Sequence, residues 1–266
     1  MAIRVGTAPD SWGVWFPNDE KQPPWARCLD DELEKRNLEL VAGTVFGDYA
    51  DNASIGKMCG TIEKIAELLL KFPSAKYIVM IQEMFTDEKT GGDTMPRTLS
   101  FERQELLYRN IQRTSEFVKK LGLVPALHPH VDCYIETEEQ IENVLKNTDA
   151  TLCFDTGHHA YSGGDPIAFY KKHHKRIPFL HIKECDMQIA GQARTKKWPF
   201  AKSVAAGAMR EPGSGSIDFK DLFAFMGQIS YDGWVVVEQD MYPLDDFGKP
   251  LEIAERTRKY LKSVGI

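Results

Sequence analysis

The segment TLCFDTGHHAYSGGDP, residues 151–166, passes from a short apolar run directly into side chains that can bind a metal ion or a substrate. The same change follows other β-rich runs, at LHPH (127–130), LHIKECD (180–186) and VEQDM (237–241). In a barrel of parallel strands, the carboxyl ends of the strands and the loops after them form the active site. The pattern therefore predicts an α/β barrel with a functional site at one end.

Short β-rich runs alternate with amphipathic helical segments along the whole chain, as expected for βα units and a parallel sheet. Thr61–Phe72 and Phe101–Leu121 each place apolar side chains on one helical face. Thr137 and Gln140 have the spacing of a capping box, and Asp218 is expected to cap the next helix. We predict strands at Ile3–Ala8, Leu40–Phe46, Tyr77–Ile81, Val124–His128, Thr151–Phe154, Phe179–Ile182 and Trp234–Val237, and a last helix at Pro250–Lys262.

Two stretches, Gly91–Pro96 and Met187–Pro212, have no clear helical or strand period. We predict irregular structure for both. The second is too long for a plain connection in a compact domain, and long loops of this kind often contribute to function.

Composition limits the class of protein. The chain has 266 residues, of which 42% are hydrophobic and 27% charged, values typical of a globular protein. We expect one TIM-barrel domain over residues 1–266. The net charge of −6 and the lack of long basic runs argue against a nucleic-acid partner. Five widely spaced cysteines without a C-x-x-C pair predict no disulfide framework. With no signal-like apolar stretch at the N-terminus, we expect a cytoplasmic protein without a membrane segment.

The polar side chains at the strand ends have ordinary explanations when each is taken alone. Asp155 could cap the following helix, and His181 could be a hydrogen-bonded core histidine. Together, imidazole and carboxylate groups from successive strand ends are the ligands that a catalytic Mn²⁺, Co²⁺ or Zn²⁺ ion requires. The combination favours a metal site.

Four motifs resemble those of the inosose dehydratases, which belong to the xylose-isomerase-like family of sugar isomerases, epimerases and lyases. The motifs are DTGHHAYSGGDP (155–166), HIKECD (181–186), EPGSGSIDF (211–219) and GWVVVEQD (233–240). The likeness extends from GTAPDSWG (6–13) to the final helix. It implies a (β/α)8 TIM barrel that acts on a small keto-polyol or sugar, with one divalent ion. Mn²⁺ or Co²⁺ is the preferred ion and Zn²⁺ the alternative, and a homo-oligomer is compatible with this family.

The resemblance also implies the metal ligands. Asp155, His181 and Glu238 match ligands of the family at the ends of their strands. The fourth ligand in the sugar epimerases is a glutamate, and LHPH places His128 at that position, with His130 as its rival. Two residues apart in an extended segment, these histidines face the same way, so one could bind the metal and the other support it.

Further motif positions imply catalytic and substrate-binding residues. His158 matches a histidine that contacts substrate hydroxyls in the family. Lys183 matches the lysine of an H-x-K-D segment, although a solvated strand-end lysine is the alternative. The aspartate of that segment comes late here, after Glu184 and Cys185, so both Glu184 and Asp186 remain candidates for its role.

Other candidates depend on position. Trp12 and Trp15 follow the first strand and could form an aromatic wall for the substrate, or a lid or oligomer contact. Glu83 follows the third strand and could bind substrate or transfer a proton, or pair with a nearby arginine. Arg210 is a further candidate for substrate binding. The glycines of EPGSGSIDF are expected in a tight turn, with phosphate binding as the weaker alternative.

The N-terminal region departs from the family, whose members have eight strands. Between the first strand and Leu40–Phe46, Cys28-Leu-Asp runs directly into Asp31–Leu38. We therefore predict that one βα unit is missing, unless Trp25–Asn37 contains an element that the sequence pattern does not reveal.

Proton abstraction next to a carbonyl, followed by loss of a β-hydroxyl, is the predicted chemistry. Glu238 is the predicted base and His158 or Lys183 the predicted acid, with Glu83 as a further catalytic candidate. A sugar isomerase or epimerase is the main alternative. An abasic-site endonuclease is disfavoured by the net charge. A non-catalytic binding or partner subunit is the alternative from another class.

Overall fold

The computed structural model describes residues 3–8, 33–87, 90–241, 246 and 248–266. Trp12, Trp15 and most of the Trp25–Asn37 segment lie outside these residues. The described strands are β1 (Arg4–Thr7), β2 (Ala42–Gly47), β3 (Tyr77–Gln82), β4 (Val124–His128), β5 (Cys153–Asp155), β6 (Phe179–Ile182), β7 (Glu184–Cys185), β8 (Met209–Arg210) and β9 (Trp234–Val237).

Seven of these strands run parallel in one continuous order. Hydrogen bonds join β2 to β3 and β3 to β4, and they join β5, β6, β9 and β1 in that sequence. A parallel bridge between Leu127 and Leu152 connects the two groups. The seven predicted strands are therefore confirmed. The predicted missing βα unit concerns the connection from β1 to β2, most of which lies outside the described residues.

Alternation along each strand separates the inside of the barrel from its helical coat. Val79 and Ile81 of β3 pack with Ala126, Phe179 and other inward side chains in an apolar layer inside the barrel. The intervening residues of β3 belong to the larger core beneath the helices. The polar inward-facing side chains lie beyond this layer, at the carboxyl ends of the strands.

Helices surround the parallel strands. They are α1 (Asn52–Leu69), α2 (Phe101–Lys120), α3 (Glu138–Asn147), α4 (Thr156–Tyr161), α5 (Pro166–His173), α6 (Met187–Lys196), α7 (Phe200–Ala205), α8 (Phe219–Gln228) and α9 (Gly248–Ser263). The predicted capping box of Thr137 and Gln140 is confirmed at α3, and Asp218 caps α8. Within the described ranges, no helix has the length and apolarity needed to cross a membrane.

Two predictions about these elements were wrong. The helix predicted from Thr61 begins at Asn52, where Asp51 caps it by accepting a hydrogen bond from the Ala53 amide at 3.0 Å. Met187–Pro212 is not irregular, because it contains α6, α7 and β8. Only Ala190 and Ala193 of α6 are buried, so its apolar stripe is too narrow to give a helical period in the sequence.

Candidate metal centre

Four buried side chains converge at the carboxyl end of the barrel. They are His128 at the end of β4, Asp155 at the end of β5, His181 in β6 and Glu238 directly after β9. One ligand atom from each lies within 4.8 Å of the corresponding atoms of the other three. The fold thus brings together the four residues that the sequence predicts as metal ligands.

Strand register explains this convergence. Asp155 pairs with His181 across β5 and β6, and His181 pairs with Val236 across β6 and β9. Glu238 is the next inward-facing position after Val236, because side chains of an extended chain alternate between faces. Neighbouring parallel strands therefore place these side chains on the same inner face.

The donor set fits a divalent cation. Two imidazoles and two carboxylates are ligands that Mn²⁺, Co²⁺ and Zn²⁺ accept. The Nδ1 atom of His181 lies 3.0 Å from Oε2 of Glu238 and 3.7 Å from Oδ2 of Asp155. Oδ2 of Asp155 is buried without a regular hydrogen bond, which is unfavourable unless positive charge faces it.

Position favours His128 over His130 as the fourth ligand, because it is His128 that shares the four-residue cluster with Asp155, His181 and Glu238. Nδ1 of His128 lies 3.1 Å from the carbonyl oxygen of Cys153. Donation of its hydrogen there leaves Nε2 with a lone pair for a metal ion. The ring of His130 lies 4.0 Å from that of His158, centroid to centroid. His130 therefore lies beside the four-residue cluster and next to a predicted substrate-binding residue.

The surroundings keep three histidines neutral. Burial, reinforced by His181, lowers the pKa of His128 to about 3. Burial and the nearby Lys183 lower the pKa of His130 to about 4, and the same two causes hold the pKa of His158 well below its usual value. A neutral imidazole is the form that binds metal and accepts hydrogen bonds.

The two carboxylates of the cluster remain charged despite their burial. Burial alone would raise the pKa of Glu238, but His181 and Lys183 outweigh it and hold that pKa below its usual range. The charge of Lys183 outweighs burial at Asp155 in the same way, so the pKa of Asp155 is also lowered. Both groups are therefore ionised at neutral pH, as metal binding requires.

Lys183 lies inside this site and is almost fully buried, so it is not the solvated strand-end lysine of the alternative interpretation. Its Nζ atom is 3.0 Å from Nε2 of His158. The same atom is 3.1 Å from Oε2 of Glu238 and 3.4 Å from Oδ2 of Asp155. The fold therefore joins two predicted catalytic side chains directly to the predicted ligands.

The DTGHH segment holds this lysine in place. The Thr156 hydroxyl donates to the carbonyl oxygen of Lys183 at 2.7 Å and accepts from its amide at 3.0 Å. A Cβ atom on Gly157 would lie 2.5 Å from Cγ of Lys183, which is too close for any side chain at this position. Glycine is thus required here so that the lysine can lie across the start of α4.

A third carboxylate beside Lys183 belongs to Asp240, which was not among the residues predicted from the sequence. Its Oδ2 atom lies 3.1 Å from Nζ of Lys183. Burial raises the pKa of Asp240 to about 6, although Lys183 partly offsets this effect. Alternation in an extended chain indicates that Asp240 faces inward as Glu238 does, but it does not indicate the contact with Lys183.

Glu184 and Asp186 have other partners. Oε1 of Glu184 accepts hydrogen bonds from the amides of Ser216 and Ile217, both at 3.0 Å. Oε2 accepts from the Gly213 amide at 3.1 Å. The amides of the EPGSGSIDF segment therefore bind a carboxylate of this chain, where the weaker sequence alternative placed a phosphate. Asp186 caps α6 through its hydrogen bond with the Ile189 amide at 3.1 Å.

The remaining candidates are not members of the four-residue cluster or lie outside the described residues. Arg210 forms an ion pair with Asp186 at 3.0 Å. Glu83 follows β3 and its side chain is exposed. Trp12 and Trp15 lie outside the described residues. Roles in substrate binding or proton transfer remain predictions for all four.

Comparison with known proteins agrees with this architecture. The model of the family described as "Xylose isomerase-like TIM barrel" matches residues 10–264. An inosose dehydratase of Clostridium botulinum is 34% identical over 247 residues, which cover 91% of this chain and 82% of the relative.

Solved structures share the fold. The IolI protein with a bound zinc atom superposes with a TM-score of 0.62 at 20% identity, covering 88% of this chain and 81% of that protein. The probable 3-DHS dehydratase AsbF of Bacillus anthracis gives a TM-score of 0.64 at 15% identity, covering 86% and 78%. The chain therefore belongs to the xylose isomerase-like TIM barrel family and is related within it to the inosose dehydratases.

Proposed function

We propose that this chain is a lyase that removes water from a keto-cyclitol, the 2-keto form of an inositol. The relative of 34% identity named inosose dehydratase supports this substrate class. The observation that carries the proposal is Lys183, whose Nζ contacts Glu238 and His158 at 3.1 and 3.0 Å. A proton acceptor, a proton donor and a histidine that can relay a proton thus lie side by side at the metal centre.

His128, Asp155, His181 and Glu238 would hold one divalent cation, with Mn²⁺ or Co²⁺ preferred and Zn²⁺ as the alternative. When bound, the cation polarises the ketone oxygen and stabilises the negative charge that develops as the α-proton leaves.

Glu238 is the proposed base. It removes the proton from the carbon next to the ketone, and the electrons of that C–H bond form a carbon–carbon double bond as the β C–O bond breaks. Its carboxylate is ionised at neutral pH because His181 and Lys183 lower its pKa. Glu238 is buried, which limits the access of bulk water to this proton transfer.

Lys183 is the proposed acid for the departing hydroxyl, with the neutral His158 as a relay. The His158 ring can take a proton from Lys183 at Nε2 and give the one on Nδ1 to the leaving oxygen. The hydroxyl then leaves as water. Because the α-carbon itself carries a hydroxyl, the new double bond is an enol, which tautomerises to give a diketone.

Elimination is favoured here over epimerisation. An epimerase moves a proton between two faces of a carbon and needs an acid–base group on each face. His128 stands where the sugar epimerases have the second glutamate, and its pKa of about 3 makes it a poor proton carrier at neutral pH. A sugar isomerase or epimerase remains the alternative.

The proposed setting is the cytoplasm, with residues 1–266 acting as one domain in inositol breakdown. Cys59, Cys133, Cys153 and Cys185 are free thiols, which suits a reducing compartment.

The test uses the full chain loaded with Mn²⁺ and supplied with 2-keto-myo-inositol in D2O. We expect the ketone to lose water to a diketone, observed by NMR and near-ultraviolet absorbance. Deuterium exchange or a new epimer without water loss would favour the isomerase or epimerase alternative. Metal binding without either reaction would favour a non-catalytic subunit.

A further inference from the structure

We propose that Phe46, at the carboxyl end of β2, is the apolar surface on which the substrate ring packs and a determinant of substrate specificity. This inference rests on the proposed function, because it concerns how the same site holds a cyclitol. Four observations lead to it: the direction of the side chain, its register with His128, its exposure and its rigid support.

Two glycines determine the direction of the Phe46 side chain. A Cβ on Gly43 would lie 2.4 Å from Ile65, and one on Gly47 would lie 2.1 Å from Met58. Both contacts are with α1, so residues 43 and 47 face the helical coat. Since strand side chains alternate, Phe46 faces the inside of the barrel.

Strand register places this ring at the level of the metal centre. Phe46 pairs with Ile81 across β2 and β3, and Ile81 pairs with His128 across β3 and β4. With strands about 4.8 Å apart, the backbone of Phe46 lies roughly 10 Å from that of His128. A cyclitol held at the four-residue cluster would extend toward this ring.

Phe46 is more exposed to solvent than its neighbours at the level of the metal centre. Its residue surface is 55% exposed, whereas Ile81 is 6% and His128 3% exposed. An exposed aromatic ring on the inner face of a barrel borders open space rather than core. Such a ring suits a ligand with one apolar side.

The backbone that carries Phe46 is held firmly. Gln82 accepts a hydrogen bond from the Tyr49 amide at 2.9 Å and donates one to Asp48 at 3.1 Å. Arg103 forms an ion pair with Asp48 at 3.0 Å. The turn after Phe46 is thus tied to β3 and α2, so that the ring needs little ordering when a ligand binds.

A cyclitol has the matching surface. Its ring carbons present C–H bonds on one face while its hydroxyls point outward, and aromatic rings pack against such faces. The cluster would fix the keto end, and Phe46 would contact the C–H groups of the remaining ring. Open-chain sugars lack this flat face, so the contact would favour cyclic substrates.

The test compares steady-state kinetics of Phe46→Ala, Phe46→Leu and Phe46→Tyr with the wild type on 2-keto-myo-inositol. Phe101→Ala is the matched control, since Phe101 is 74% exposed at the start of α2. We expect Phe46→Ala to raise KM roughly ten-fold, with kcat within about three-fold of wild type. Phe46→Tyr and the control should retain the wild-type KM.

Each outcome decides between the alternatives. If the wild type dehydrates the substrate but Phe46→Ala keeps the wild-type KM, this inference fails and the proposed function stands. If Phe46→Ala lowers the midpoint of urea unfolding, Phe46→Leu is the deciding variant. A raised KM of Phe46→Leu at an unchanged unfolding midpoint supports the contact. An unchanged KM of Phe46→Leu overturns it.

A measurement of substrate binding tests the role of Phe46 independently of catalytic turnover. If neither the wild type nor any variant dehydrates the ketone, the proposed function fails. Saturation-transfer NMR then compares the wild type with Phe46→Ala: loss of saturation at the ring C–H protons in the variant keeps Phe46 as a contact, and equal saturation rejects it.

Discussion

The Nζ atom of Lys183 lies 3.1 Å from Oδ2 of Asp240, and both side chains are buried. Lys183 follows β6 and Asp240 follows β9, and these strands are hydrogen-bonded neighbours in the barrel. A buried lysine is unfavourable unless carboxylates offset its charge, and Asp240 supplies one beyond the predicted ligands. The pair therefore fixes the position of the proposed acid.

Asp240→Asn tests this positioning role. Asparagine keeps an oxygen that can accept from Lys183 but removes the charge, so the lysine loses part of its support. We expect kcat for dehydration to fall about ten-fold or more, with little change in KM or bound metal. Asp186→Asn is the control, because Asp186 pairs with Arg210 instead. Equal kinetics for both variants would remove Asp240 from the mechanism.

Asp155→Asn tests the metal centre. Asparagine can still accept the hydrogen bond from the His158 amide, which Asp155 accepts at 2.9 Å as the cap of α4. It loses the carboxylate charge, so Mn²⁺ affinity should fall by more than about 100-fold. Titration calorimetry and elemental analysis measure this. Wild-type Mn²⁺ affinity in the variant would contradict a site built on Asp155.

Glu238→Gln tests the role of Glu238 as the base separately from its role as a metal ligand. Glutamine keeps the shape and one oxygen for a metal but cannot take a proton. Metal should remain at reduced affinity while deuterium exchange at the α-carbon falls roughly 10²-fold or more. Exchange near the wild-type rate in metal-loaded variant would place the base elsewhere, with Glu83 as the next candidate.

Glu184→Ala tests the loop that follows β8. The variant leaves the amides of Gly213, Ser216 and Ile217 without their carboxylate acceptor. We expect the free energy of unfolding to fall by about 2 kcal/mol or more, measured by urea denaturation. Glu211→Ala removes a half-exposed ion pair with Arg256 and should cost under about 1 kcal/mol. Equal losses would mean that Glu184 does not organise the loop.

Local pattern was enough to predict much of the barrel. The bounds of β4, β6 and β9 agree with the prediction, because each is a short apolar run bounded by polar or turn residues. Helix ends were harder to predict. The start of α1, for example, is determined by the cap residue Asp51 and not by the first residue of the apolar period. The α6 region was missed because two small alanines cover its buried face.

The ligand set His128, Asp155, His181 and Glu238 could be proposed from the sequence because its motifs resemble those of the inosose dehydratases. Its position at strand ends agrees with this, since parallel strands end at the same edge. Choosing between His128 and His130 required tertiary structure, because the folded barrel is what places His128 in one cluster with Asp155, His181 and Glu238.

Tertiary structure alone decided that Asp240, and not Glu184 or Asp186, contacts Lys183. Glu184 and Asp186 are nearer to it in the chain, but the antiparallel pairing of β7 with β8 turns that segment toward Met209–Arg210. Asp240 is remote in sequence, and the pairing of β6 with β9 brings it into contact. The sequence determines which residues end each strand, whereas contacts between strand ends depend on which strands pair and in which register, a long-range property that local patterns do not contain.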